Sequence, residues 1–128
     1  MLNVDFFETG VGPKVVLLHS SASSAGQWKS LMDCSSNKFN FIAINLIGYG
    51  KTRSWAGDKV QSLRDQVALI EKIPSLQNDN FSLVGHSFGG SVAMKAAVHF
   101  GERIDKLVLV EPNPFYLLDL EGRAEAFA

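Results

Sequence analysis

The run from Phe81 to Phe100 constrains this chain more than any other. Phe81–Val84 is a short apolar stretch of the kind that fills a strand covered on both faces. Gly85-His86-Ser87-Phe88-Gly89-Gly90 follows at once, and Val92, Ala93, Ala96, Ala97 and Phe100 then recur on one helix face. A strand that turns sharply into a helix puts Ser87 at a strand's carboxyl end, where the reactive groups of open α/β sheets gather. A serine that attacks a carbonyl must project from such a turn with nothing bulky beside it. Gly85 and Gly89 stand where a Cβ would collide with a neighbouring strand or helix, and Gly90 leaves room for close helix packing. The helix start aims backbone N–H groups and the positive end of its dipole at any developing oxyanion. Ser87 is therefore the candidate nucleophile. A chance Gly-x-Ser-x-Gly string is the competing reading, and the strand before it and amphipathic helix after it weigh against chance.

The rest of the chain repeats this alternation. Val4–Glu8 reads as a short strand ended by Gly10-Val11-Gly12-Pro13, and Val15–Leu18 as a buried one. A Ser/Ala/Gly-rich loop from Ser20 to Gly26 leads to a helix through Trp28 and Leu31. Phe41–Leu46 is another buried strand, followed by Gly48-Tyr49-Gly50. Leu63, Val67 and Ile70 share a helix face until Pro74 ends the pattern. Leu107–Val110 reads as a fourth buried strand. Aliphatic strands alternating with helices imply parallel βαβ units. The expected fold class is α/β: a doubly wound, mostly parallel sheet with helices on both faces.

Composition narrows the function. The chain has 128 residues, 46% of them hydrophobic, with 12 basic and 13 acidic side chains. That balance fits one globular domain and offers no basic stripe to nucleic acid. No apolar run approaches membrane-spanning length, and Met1-Leu2-Asn3-Val4-Asp5 lacks the basic region and long apolar stretch of a leader. Cys34 is the only cysteine, which excludes an internal disulfide and fits a reducing compartment. A cytoplasmic protein is expected, without nucleic-acid or membrane partners. No metal cluster or cofactor loop stands out, so neither metal nor cofactor is expected. Gly50-Lys51-Thr52 resembles the end of a phosphate-binding loop, but that loop needs glycine five positions before Gly50, where the chain has Asn45.

A second station supports the serine. Val15–Leu18 runs into His19-Ser20-Ser21, where small residues let the backbone approach the elbow. One oxyanion N–H is expected from this loop, at Ser21, and the other from Phe88, the residue after the nucleophile. By itself the Ser20–Gly26 loop reads more readily as a flexible connection; the elbow beside it favours the oxyanion role.

Taken together, Val16-Leu17-Leu18-His19, Gly26-Gln27-Trp28, Gly48-Tyr49-Gly50-Lys51-Thr52, Gly85–Gly90 and Leu107-Val108-Leu109-Val110-Glu111-Pro112 resemble the α/β-hydrolase superfamily, particularly its esterase-like, lid-bearing members. The landmarks occur in family order over nearly the whole chain. Ser20 is a departure, since relatives usually carry glycine after that histidine, and it adds a hydroxyl near the oxyanion site. The resemblance implies a serine hydrolase acting on an ester, thioester or similar acyl bond of a small-molecule substrate. It disfavours a dehalogenase, whose members use aspartate at the Ser87 position. It also implies that residues 1–111 are the N-terminal part of the hydrolase core. Residues 112–128, with Phe115-Tyr116-Leu117-Leu118, are then the start of a lid.

A serine hydrolase also needs a base and an acid that orients it, and superfamily order is serine, acid, histidine. The chain has His19, His86 and His99. The first two precede Ser87, and His99 lies about 18 Å along the helix at helical rise. None suits the base, and packing or surface roles are expected of all three. Glu111 ends its strand where catalytic groups collect, and some superfamily members take their acid there, others one strand later. A glutamate that merely closes a strand before Pro112 is the competing reading. Asp119 and Glu121 look like solvated charges.

Superfamily members run to about twice this length, in keeping with large single α/β domains. The chain is thus expected to be the N-terminal half of a hydrolase, inactive alone. Its apolar Leu107–Val110 edge is expected to pair with a second copy, as a homodimer joined there or through an exchanged C-terminal tail. The second reading, from another class, is a non-catalytic hydrolase-fold module that binds ligands or partners.

Overall fold

The computed structural model describes residues 3–52 and 62–112. The expected lid start at Phe115–Leu118, the charges Asp119 and Glu121, and the C-terminal tail lie outside the described residues. Among the described residues, five strands form one sheet: β1 (Asp5–Thr9), β2 (Lys14–Leu18), β3 (Asn40–Asn45), β4 (Phe81–His86) and β5 (Ile104–Val110). Three α-helices accompany them there, α1 (Lys29–Ser35), α2 (Leu63–Glu71) and α3 (Phe88–Phe100). The spatial order is β1-β3-β2-β4-β5. β2 pairs in parallel with β3 and β4, and β4 with β5, while β1 alone runs antiparallel, to β3.

The continuous apolar runs are explained by cover on both faces. Side chains alternate across a strand. Val16 and Leu18 of β2 join Ile42 and Ile44 of β3 against Val67 and Ile70 of α2 and Val92, Ala93 and Ala96 of α3. Val15 and Leu17 join Phe41 and Ala43 on the other face, against Ala25, Trp28 and Met32. Fully burying each Val, Leu or Ile contributes about 1.5–3 kcal/mol, so β2 and β3 form the stable centre. The doubly wound arrangement read from the sequence is what the chain adopts.

Helix α2 begins at a capping box, in which Ser62 and Asp65 satisfy each other's backbone amides. It stops at Glu71, ahead of Pro74. The helix expected through Trp28 and Leu31 is a 3₁₀ turn, Ala25–Trp28, running into α1. Among the described residues, no helix is long and apolar enough to cross a membrane.

Two expectations meet at Leu107–Val110. It is apolar enough for a buried strand, but β5 lies at one edge of the sheet, as the expected apolar edge does, with Leu107 38%, Val108 49% and Val110 43% exposed. An apolar run shows that a strand is suited to cover; it does not show that a neighbour is present. Among the described residues β5 pairs with β4 alone.

The topology also places the site. From β2 the chain crosses to β3 on one side, and from β4 it crosses to β5 on the other. β2 and β4 lie next to each other, Leu18 opposite Gly85. The crevice beyond their carboxyl ends is the switch point at which α/β sheets bind ligands. Ser20 and Ser21 leave one lip of it, and Ser87 leaves the other.

Candidate active site at the ends of β2 and β4

Ser87 sits between the last residue of β4 and the first of α3, with φ 52° and ψ −113°. A non-glycine residue held in that region costs on the order of 1–3 kcal/mol and persists only where its surroundings hold it. Here the Ser87 N–H donates to the Val110 carbonyl at 2.9 Å, and the Ser87 carbonyl accepts from Gly90 N–H at 2.9 Å and Ser91 N–H at 3.2 Å. The flanking glycines allow the close approach. A Cβ on Gly85 would lie 2.7 Å from Gly90 Cα, and one on Gly89 2.5 Å from the His19 carbonyl oxygen. The collisions expected from the sequence are thus with α3's own first turn and with the end of β2. Gly90 differs from expectation: its close neighbour is Pro112, after β5, where a Cβ would come within 2.9 Å of that ring's Cβ.

The opposite lip is built from His19 to Ala22. The Ser20 N–H donates to Gln27 Oε1 at 3.0 Å, and the Ser20 hydroxyl to the same oxygen at 3.3 Å. The Ser20 hydroxyl is thus taken up by Gln27. Two residues on, Ala22 has φ 58°, and its N–H donates to the Tyr49 hydroxyl at 3.1 Å. Ser21 lies between these two anchors, exposed. Among the described residues its N–H finds no acceptor. Phe88 opens α3, and the first amides of a helix have no partner within it. Both backbone donors expected for an oxyanion therefore border the crevice.

The three histidines take structural places. His19 is fully buried. Its Nδ1–H donates to the Ser20 carbonyl at 2.7 Å, and its Nε2 accepts from Leu46 N–H at 3.0 Å. A carbonyl can only accept and an amide N–H only donate, so the ring is the neutral Nδ1–H tautomer. Burial lowers its pKa below 6.5, against an opposing contribution from the Ser20 carbonyl. His86 Nδ1 lies 2.6 Å from Gln27 Nε2. His99, near the far end of α3, pairs with Glu71.

His19 gives this chain a pH dependence with a definite sign. Its folded-state pKa is depressed, so its contribution to stability is complete above about 6.5, the unfolded imidazole value. Below that the unfolded chain takes up the proton first, and stability is lost as pH falls toward the folded pKa. Denaturant unfolding between pH 8 and 5 is expected to show this loss, and His19→Asn to reduce its slope. A wild-type profile with no loss below pH 6.5 would count against the neutral, fully bonded ring.

Comparison with known proteins bears on the same residues. The family model described as alpha/beta hydrolase fold matches residues 13–127. This chain belongs to the α/β-hydrolase family. It is 31% identical over 117 residues to a pimeloyl-acyl-carrier-protein methyl ester esterase of Nitrosomonas europaea, covering 91% of this chain and 44% of that protein. A meta-cleavage product hydrolase from Pseudomonas fluorescens superposes with TM-score 0.76 at 27% identity, over 87% of this chain and 42% of that one. An esterase from Thermogutta terrifontis shares the fold at TM-score 0.80 and 24% identity, over 88% of this chain and 41% of its own. The chain thus spans less than half the length of each of these three.

Within the hydrolase fold, Glu111 follows the last residue of β5, exposed, with φ 45°. In the β4–β5 ladder His86 faces Val110. Glu111 is therefore one step past the strand that holds the Ser87 amide. Two non-glycine residues with positive φ thus stand at adjacent strand ends.

The polar groups of Gly50-Lys51-Thr52 bond to β1 and β3. Lys51 N–H donates to Asp5 Oδ2 at 2.8 Å, and the buried Thr52 hydroxyl donates to the Asn45 carbonyl at 2.7 Å. Thr52 Oγ1 in turn accepts from Asp5 N–H at 2.9 Å. Gly50, at φ 53°, lies so close that a Cβ would fall 2.6 Å from Asp5 Oδ2. The loop's polar groups tie β1 to β3. Asn45, in the place of the absent glycine, supports the site instead: its Oδ1 accepts from Ala25 N–H at 2.8 Å, at the turn that carries Gln27.

Proposed function

We propose that this chain carries the nucleophile and oxyanion side of a serine hydrolase acting on an ester, thioester or similar acyl bond of a small molecule. The observation that carries the reading is Ser87, a non-glycine residue at φ 52° between β4 and α3, beside the strand-end crevice. In the proposed reaction Ser87 Oγ attacks the acyl carbon and its proton passes to a base. The carbonyl oxygen becomes an oxyanion that accepts from the Ser21 and Phe88 N–H groups. Collapse re-forms the carbonyl and expels the alcohol or thiol, which takes the proton from the base. Water then releases the acid by the same steps. Glu111 is the proposed acid that orients the base. The methyl ester esterase among the relatives favours an ester over other acyl bonds.

The base is proposed to come from a part of the hydrolase fold that these 128 residues do not supply. His19 has both ring nitrogens occupied, His86 faces Gln27, and His99 pairs with Glu71. By itself the chain is therefore expected to be inactive. The test is covalent labelling by a fluorophosphonate, in this chain and in a lengthened form that continues past residue 128 with the downstream portion of the Nitrosomonas relative, its folding checked by circular dichroism. Labelling at Ser87 in the lengthened form, lost in Ser87→Ala and at least tenfold slower in the short chain, is the expected result. A folded lengthened form that takes no label would sink the hydrolase reading and favour the binding module.

A further inference from the structure

The Gln27 side chain joins the two segments bearing the oxyanion donors. Its Oε1 accepts from the Ser20 N–H and hydroxyl, and its Nε2 lies 2.6 Å from His86 Nδ1. The polarity of this bridge is forced. A backbone N–H can only donate, so the carboxamide atom facing Ser20 is the oxygen. The other end then offers only donors, so His86 Nδ1 must present its lone pair and the ring proton sits on Nε2.

Ser20 directly precedes Ser21, and His86 directly precedes Ser87 and Phe88. One carboxamide of fixed length therefore links the roots of two loops on different strands. Its own support is rigid. Gln27 belongs to the 3₁₀ turn Ala25–Trp28, its N–H donates to the Ser24 carbonyl at 3.0 Å, and Ala25 and Trp28 on either side are buried in the core. The Tyr49 hydroxyl holds the loop from its other end, at Ala22. Ser21 is thus gripped on both sides, and the grip toward Ser87 is Gln27's.

We propose that Gln27 is the positioning residue of the oxyanion hole: bonded to Ser20 and His86, it fixes the separation between the Ser21 and Phe88 N–H groups. This rests on the serine-hydrolase reading, because the donors matter only if an oxyanion forms. Gln27 acts through these neighbours and takes no part in bond making.

Two measurements test it. The first needs no catalysis: long-range ¹H–¹⁵N spectra of this chain at pH 8. His86 is expected as the Nε2–H tautomer, with Nδ1 unprotonated. In Gln27→Glu the carboxylate can only accept, so the proton is expected to appear on Nδ1. A mixed tautomer population in the wild type that Gln27→Glu leaves unchanged overturns the bridge.

The second uses the lengthened form and separates the covalent rate constant of fluorophosphonate labelling from reversible binding. Loss of one oxyanion donor costs about 10²–10³ in rate, so misplacing one in Gln27→Met is expected to cost roughly tenfold to a hundredfold, with reversible binding within about twofold. Gln27→Glu keeps the acceptor for Ser20 and is expected to recover part of that loss. If the lengthened wild type labels and Gln27→Met labels equally fast, the positioning role is overturned while the hydrolase reading stands. If the folded wild type does not label at all, the hydrolase reading fails and the oxyanion role with it, whatever the tautomer of His86.

Discussion

Replacing Ser87 by glycine is expected to raise the melting temperature of this chain while abolishing any covalent adduct at the elbow. At φ 52° and ψ −113° the serine occupies backbone space that glycine enters without a Cβ penalty. Relief of that strain is about 1–3 kcal/mol. Glycine's greater freedom in the unfolded chain returns about 0.4–1 kcal/mol, and the serine side chain's own contacts are lost as well. A net gain of about 1 kcal/mol corresponds to roughly 3–5 °C for a domain of this size. Ser87→Ala provides the contrast, since it removes the hydroxyl and keeps the strained Cβ. Both variants should fail to react in the lengthened form, and only the glycine variant should melt higher. A glycine variant that melts at or below the wild type would show that the elbow stores no strain. A higher-melting glycine variant would show that elbow geometry is maintained against local stability, as expected where a side chain is held for reaction and not for packing.

The second large effect is Gly89→Ala. The added Cβ would fall inside van der Waals contact with the Leu18 carbonyl oxygen and 2.5 Å from that of His19. Both obstacles are backbone at the end of β2, a strand held by β3 on one side and β4 on the other. A flexible side chain could swing away; a central strand cannot. Overpacking ordinarily costs 1–3 kcal/mol, and a rigid obstacle places this variant at roughly 3 kcal/mol or more. Set against a typical total of 5–15 kcal/mol, that is a drop in melting temperature on the order of 10 °C or more. Gly26→Ala is the control, because a Cβ there meets only the Ser24 hydroxyl oxygen, at 3.4 Å. Scanning calorimetry on the two variants reads the difference. Equal melting temperatures would mean that the elbow and β2 can part without cost.

What could be read from the residues alone follows the range of the interactions involved. The elbow was legible because it is local: one strand, one turn and one helix start lie within twenty consecutive residues, although of its glycines only Gly85 answers a close contact within that run. The two-faced sheet was legible because Val15–Leu18 and Phe41–Ile44 are apolar without alternation. The bare edge at β5 was expected only through the resemblance to longer hydrolases, since Leu107–Val110 is as apolar as its inner neighbours and differs only in what stands beside it. Gln27 was visible as part of a family landmark, but its task was hidden. Its partners are seven and fifty-nine residues away, and nothing in the spacing of a polar side chain announces such distant contacts. Gly50-Lys51-Thr52 was read as something other than a phosphate loop on the strength of Asn45. Only the structure shows that Asn45 and Thr52 serve the knot at Asp5.

The bond from the Ser87 amide to the Val110 carbonyl has a mechanical consequence. Ser87 hangs from β4 on one side and is moored to β5 on the other, and among the described residues no strand covers the outer flank of β5. Fraying that begins at the rim of the sheet therefore loosens the mooring of Ser87 before it reaches the centre. Whatever clamps the rim, by the same linkage, steadies the hydroxyl.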